Sequence, residues 1–142
     1  RTLEIGTCYV TNDIDEMKLH KLLYFTQRES IIMTGEPMFD AAFSAWRYGP
    51  VAVDIRERFR AGTLNELPDK SVLAQYGAVF DSVFEKYACK DSWSLSILTH
   101  GEYSWQNARR GLLPDEKSSN LIAIEDIRKD AERMRVRRFL MA

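Results

Sequence analysis

Ala45-Trp46-Arg47-Tyr48-Gly49-Pro50-Val51 drives two large aromatic side chains straight into a Gly-Pro corner. Trp and Tyr each carry a wide apolar area with one polar handle, Gly is free to take positive φ, and Pro fixes φ while removing a donor. The chain must turn sharply here while anchored. Pro after Gly suits the first position of a helix, where its missing N–H costs nothing, so a helix is expected to open at Pro50-Val51-Ala52-Val53-Asp54-Ile55. An extended segment, Phe43-Ser44-Ala45-Trp46, leads into the corner. The indole of Trp46 is expected in the core, locking the bend.

Working outward, Asn12-Asp13 offers a helix cap, and Asp13 with Glu16 stands at capping-box spacing. From Ile14 through Met17, Leu22, Leu23 and Phe25 to Ile32, apolar residues recur at helical intervals, with Lys18, Lys21, Arg28 and Glu29 at polar positions. Gly35-Glu36-Pro37 ends that helix. Beyond the corner, residues 53–60 read as a short amphipathic helix closed by Gly62, with Arg56, Arg58 and Arg60 outward. The clearest helix follows Pro68-Asp69, where Val72, Leu73, Tyr76, Val79, Phe80, Val83, Phe84 and Tyr87 keep steps of three and four. Gly77 within it costs about 1 kcal/mol relative to Ala, which signals close helix approach or simple tolerance. Ser92 is read as the cap of a segment ending at Thr99-His100-Gly101, and Ser104 as the cap of Trp105 to Arg110, closed by Gly111. Leu121 to Ile124 reads as a short strand. Glu125 to Phe139 reads as a helix with Ile127, Ala131 and Met134 inward. Arg1 to Val10 fits strand fragments or a helix interrupted at Gly6, and both readings stand.

A chain of 142 residues, 45% of them hydrophobic, fits a single domain over residues 1–142 with a core that needs no staples. Its 20 Lys and Arg nearly cancel its 21 Asp and Glu, leaving a formal charge of −1. Bulk attraction to nucleic acid or an anionic membrane is thereby excluded, and only local patches remain. Cys8 and Cys89 are far apart with no CxxC spacing, so no disulfide framework is expected and a reducing cytoplasm is the natural compartment. No apolar run approaches membrane-spanning length, and Arg1 to Gly6 lack the apolar core of a signal peptide.

Four blocks occur in order: Met17-Lys18-Leu19-His20-Lys21-Leu22-Leu23-Tyr24-Phe25, then Gly35-Glu36-Pro37-Met38-Phe39, then the corner, then Leu95-Ser96-Ile97-Leu98-Thr99-His100 with Trp105 shortly after. Together they resemble the signature of the Panacea domain, the SocA-like and GepA-like group of bacterial and phage-associated antitoxins, from Met17 to Arg110. The resemblance implies a mainly α (α+β) fold, a compact multi-helix domain with a small β element of short strands. It further implies a protein that binds and neutralises a cognate toxin by direct contact, in part of the family by directing the toxin to a protease. Carried onto this chain, the structural motif positions are Lys21, Tyr24, Trp46, Gly49, Pro50, Thr99 and His100.

The residues themselves offer no catalytic, cofactor or metal site. There is no GxxxxGK[ST] loop, no GxGxxG after a strand and no GxSxG, so nucleotide and hydrolase chemistry have no motif, and no enzyme is expected. His20 reads as a partly exposed polar residue, His100 as a group satisfying carbonyls or the helix dipole, and Cys89 as a small buried hydrophobe. Trp46 and Trp93 are expected in the core. Partner contact is assigned to Tyr48 and Trp105 with Arg109 and Arg110, where aromatics lie beside charge. The basic run Arg128, Lys129, Arg133, Arg135, Arg137 and Arg138, with Arg56, Arg58 and Arg60, supports an alternative, a nucleic-acid-binding regulator. The same run also reads as a solvated helix face.

Overall fold

The computed structural model describes residues 2–5, 8–11, 16–40, 42–61 and 70–142. In chain order these form β1 (Thr2–Ile5), β2 (Cys8–Thr11), α1 (Glu16–Thr34), β3 (Phe43–Trp46), β4 (Gly49–Ala52), α2 (Val53–Arg60), α3 (Lys70–Tyr87), α4 (Ser92–His100), α5 (Tyr103–Ala108) and α6 (Ile124–Leu140). β1 pairs antiparallel with β2, and β3 with β4. The fold is mainly α with a small β element, as the resemblance implied.

α1 is the axis: α2, α3, α4, α6 and β4 all pack on it. A helix covered on every side must bury its polar residues too, so Lys21, Arg28 and Glu29, set outward by periodicity alone, are buried. Each has partners, without which burial of charge is prohibitive. Arg28 pairs with Glu102 and the Tyr87 hydroxyl while lying 4.8 Å over the Phe25 ring. Glu29 accepts from Ser82 at 2.7 Å and from both terminal nitrogens of Arg138 at 2.7 and 3.0 Å. Burial opposes the Glu29 charge, but these hydrogen bonds outweigh it and hold the carboxyl below its usual range. Gln27 donates to the Phe39 carbonyl and accepts from the Met38 and Phe39 N–H groups, folding the following loop back onto the helix. Gly35 ends α1 at φ +83°, its N–H returning to the Ile31 carbonyl.

The core gathers around Tyr24, Phe25, Phe43, Leu95 and Ile127. Tyr24 meets Phe25 and Phe43 edge-on, and Phe25 stacks on Tyr87 at 4.3 Å. α6 turns Ile127 and Ala131 inward as its periodicity predicts, with Met134 half-buried. One of its polar residues organises α5: Asp130 accepts the Tyr103 and Ser104 N–H groups, each at 2.8 Å, and the Tyr24 hydroxyl at 3.3 Å. Ser104 is therefore inside α5 rather than its cap, because a carboxylate from another helix reaches the free N–H groups first.

Several expectations are corrected. Asp91, not Ser92, caps α4, accepting from Ser94 N at 2.7 Å. The strand expected at 121–124 is only an isolated bridge of Leu121 to Ser44, and α6 begins at Ile124. A Cβ on Gly77 would meet nothing within 4 Å, so tolerance explains that glycine. Trp93 is 58% exposed because Leu95 and Thr99 form the buried stripe of α4 and leave Trp93 and Ile97 outward. Cys89 is exposed and disulfide-bonded, against the expectation of a small buried hydrophobe and of no disulfide; the Asn12-Asp13 cap and Gly62 lie outside the described residues. No described helix is long and apolar enough to cross a membrane.

Asp130→Ala leaves the Tyr103 and Ser104 N–H groups without their acceptor, while the Tyr24 hydroxyl keeps Ser104 Oγ, and the expected loss is about 2 kcal/mol or more, read from urea unfolding. Asp130→Asn keeps one acceptor oxygen and should lose clearly less.

Candidate functional site

The Gly-Pro corner is a hairpin. β3 and β4 pair as Phe43↔Ala52, Ser44↔Val51, Ala45↔Pro50 and Trp46↔Gly49, joined by the turn at Arg47-Tyr48. Pro50 therefore lies in a strand and does not open a helix; α2 begins three residues later, at Val53. The register explains why proline is accepted. Ala45 sends its N–H away from β4 to the Asn120 carbonyl, so the Ala45–Pro50 pair exchanges no ladder bond and the donor Pro50 lacks is not required.

What holds this hairpin is a set of side chains reaching its outward carbonyls. Arg109 Nη1 donates to Ala45 O at 2.8 Å, and Trp105 Nε1 to Trp46 O at 2.8 Å. His100 hydrogen-bonds the Arg47 backbone, Ser96 Oγ donates to Tyr48 O at 2.5 Å, and Lys21 Nζ to Pro50 O at 3.3 Å. On the donor side, the Ala52 N–H goes to His20 Nδ1 at 3.2 Å, and Ile122 N donates to Phe43 O at 2.8 Å. His100 and Trp105 stack with ring centroids 4.3 Å apart, so one aromatic pair delivers two of these donors. Gly49 sits at φ +118°, and a Cβ there would lie 2.6 Å from Thr99 Oγ1 and 2.8 Å from Lys21 Cε. Both backbone conformation and space demand glycine.

Trp46 itself is half-buried, with Arg56 5.1 Å over its ring, so the bend is locked by hydrogen bonds to carbonyls rather than by a buried indole. His20, expected partly exposed, is 2% exposed, because its ring is needed at the edge of β4. Among the residues assigned to partner contact, Tyr48 and Arg110 are exposed, whereas Trp105 and Arg109 spend donors on the hairpin. Arg109 also binds the Leu113, Pro114 and Glu116 carbonyls.

Two surface features adjoin the hairpin. Tyr48 meets Trp93 edge-on at 5.4 Å, and Ile97 lies one helical turn beyond, giving an exposed apolar face. Sequence reasoning missed Trp93 and Ile97; placing Leu95 and Thr99 on the buried face would have found them. On the other side lies a cleft of about 680 Å³, lined by Glu16, His20, Trp46, Arg47, Arg56 and Lys117 among others. Since His20 Nδ1 accepts the Ala52 N–H, the ring proton is on Nε2. That nitrogen is buried without a hydrogen-bond partner, with Glu16 Oε1 3.6 Å away and beyond bonding length. Glu16 Oε1 is also 3.4 Å from Arg56 Nε. Among the described residues no group of three or more His, Cys, Asp or Glu is placed to hold a metal ion. Of the basic run, Arg128 binds Gly35 O and Glu36, Lys129 pairs with Asp126, Arg135 with Glu132 and Arg138 with Glu29.

A mainly helical body that presents a hairpin gripped through its carbonyls is the class of scaffold these contacts define. A family model described as antitoxin SocA-like, Panacea domain, matches residues 19–106, and the chain belongs to that family. Comparison with curated proteins and with solved structures gives no match. The motif positions from Lys21 to His100 all fall within the matched span and lie in or against the hairpin, Tyr24 through the Phe43 ring.

Gly49→Ala is expected to destabilise by more than about 2 kcal/mol in denaturant unfolding, and adding Thr99→Ala should recover only part, because the backbone strain stays. Burial first, then Lys21, holds His20 below the ordinary histidine value of 6.5, and burial likewise lowers His100. The unfolded chain thus takes up protons before the folded one as pH falls. Stability is complete above pH 6.5 and declines as pH drops through the lowered folded values. Unfolding midpoints measured across that window should slope less in His20→Asn and His100→Asn than in the parent.

Proposed function

We propose that the protein is an antitoxin that neutralises a cognate toxin by direct contact through the face formed by Tyr48, Trp93 and Ile97. The observation that carries the reading is the solvent exposure of these side chains, 46%, 58% and 69%, on a hairpin and helix that are otherwise rigidly bonded. Contiguous exposed aromatic surface is the composition of binding hot spots. A rigid scaffold beneath it lowers the ordering cost of association. Membership of the SocA-like family supplies the class of partner. The reading needs no catalytic group. Delivery of the bound toxin to a protease is its finer form. The nucleic-acid alternative has less behind it, since Arg128, Arg135 and Arg138 are already paired within the chain.

The test is co-expression with the product of the adjacent reading frame, first expressed alone to establish that it arrests growth. Tyr48→Ala and Trp93→Ala should each weaken the purified complex by about thirtyfold or more and abolish growth rescue, with thermal melting unchanged. Undiminished rescue by the double variant would remove the face from its role.

A further inference from the structure

The cleft beside the hairpin carries more electropositive character than the chain as a whole. Among the described residues, Lys21, Arg47, Arg56 and Lys117 line it against the carboxylate of Glu16, in a protein of formal charge −1. At its floor the His20 Nε2–H is buried and unsatisfied, a cost of about 1–3 kcal/mol that an acceptor oxygen would relieve. The walls, Met17, Trp46 and Val51, are largely apolar.

We infer that this cleft is a receptor for a carboxylate: an aspartate or glutamate side chain of the bound toxin enters between Arg56 and Lys117, accepts from His20 Nε2, and lays its neighbouring apolar atoms on Trp46. Glu16 shows what the site selects. Its carboxylate already hovers there, 3.6 Å from His20 Nε2 and 3.4 Å from Arg56 Nε, close enough to be attracted and too far to satisfy the histidine. An incoming carboxylate free of helix geometry closes those distances and displaces it. A dianionic phosphate gains less, because Glu16 repels the second charge and the site offers one neutral donor rather than a cradle of N–H groups. Tyr48 lines the cleft and also belongs to the apolar face, so the two surfaces form one continuous footprint. The identity of the partner rests on the antitoxin reading; the chemistry of the cleft does not.

The experiment therefore uses the purified protein and small probes, followed through the imidazole nitrogens of His20 by two-dimensional NMR. N-acetylglutamate is expected to shift the His20 Nε2 signal saturably, and N-acetylglutamine to leave it in place. Arg56→Gln with Lys117→Gln should weaken the response about tenfold. Glu16→Gln should strengthen it, an effect that misfolding does not produce. Absence of a shift with N-acetylglutamate, tighter binding of inorganic phosphate, or equal weakening by Glu16→Gln and Arg56→Gln would each overturn the assignment. In the toxin complex, Arg56→Gln with Lys117→Gln should accelerate dissociation while Tyr48 and Trp93 are intact. Unchanged dissociation with growth rescue retained would sink the carboxylate receptor and leave the antitoxin reading standing.

Discussion

The outward carbonyls of the β3–β4 hairpin are the constraint on which the rest of the structure depends. A two-stranded hairpin satisfies only half of its backbone groups internally, and alone in water it is marginal. Here the open edge of β3 is taken by Arg109, Asn120 and Ile122, the open edge of β4 by His20 and Lys21, and the turn by Ser96 and His100. Buried backbone groups must find partners, and in this protein the partners come from elements far apart in sequence. The small β element is thus a polar plug seated in a helical socket.

That arrangement dictates the unusual character of α1. To reach β4 it must place a histidine and a lysine on a buried face, and to remain covered by α3 and α6 it must bury Arg28 and Glu29 as well. Such groups add little net stability once desolvation is counted, but removing one partner leaves an isolated charge or donor inside. They fix the position of each neighbour by direction-dependent bonds, which apolar packing alone does not do. Asp130 acts in the same way at a distance, binding α6 to the start of α5 and to Tyr24 together, and so setting where Trp105 and Arg109 meet the hairpin.

The proposed function is assigned to what this socket leaves uncovered. With the backbone of Arg47 and Tyr48 held from below, the turn displays its side chains on a base that does not relax, beside Trp93 on one flank and the basic cleft on the other. An apolar face next to a positive recess is a footprint suited to a partner that offers both an apolar anchor and a carboxylate.

Much of this was legible in the residues. Helical periodicity located α1, α3 and α6, a left-handed glycine marked the end of α1 at Gly35, and the ordered blocks from Met17 to Trp105 identified the family. Local rules govern such features, since periodicity and glycine conformation are properties of a few neighbouring residues. The sequence could not reveal that Pro50 sits in a strand, that His20 is buried, or that Asp130 rather than Ser104 caps α5. Each of these turns on which distant group arrives to accept or donate a hydrogen bond, or on which side of a helix is already occupied. Only the packed tertiary structure settles that competition, because burial and hydrogen-bond partners are fixed by the whole chain at once.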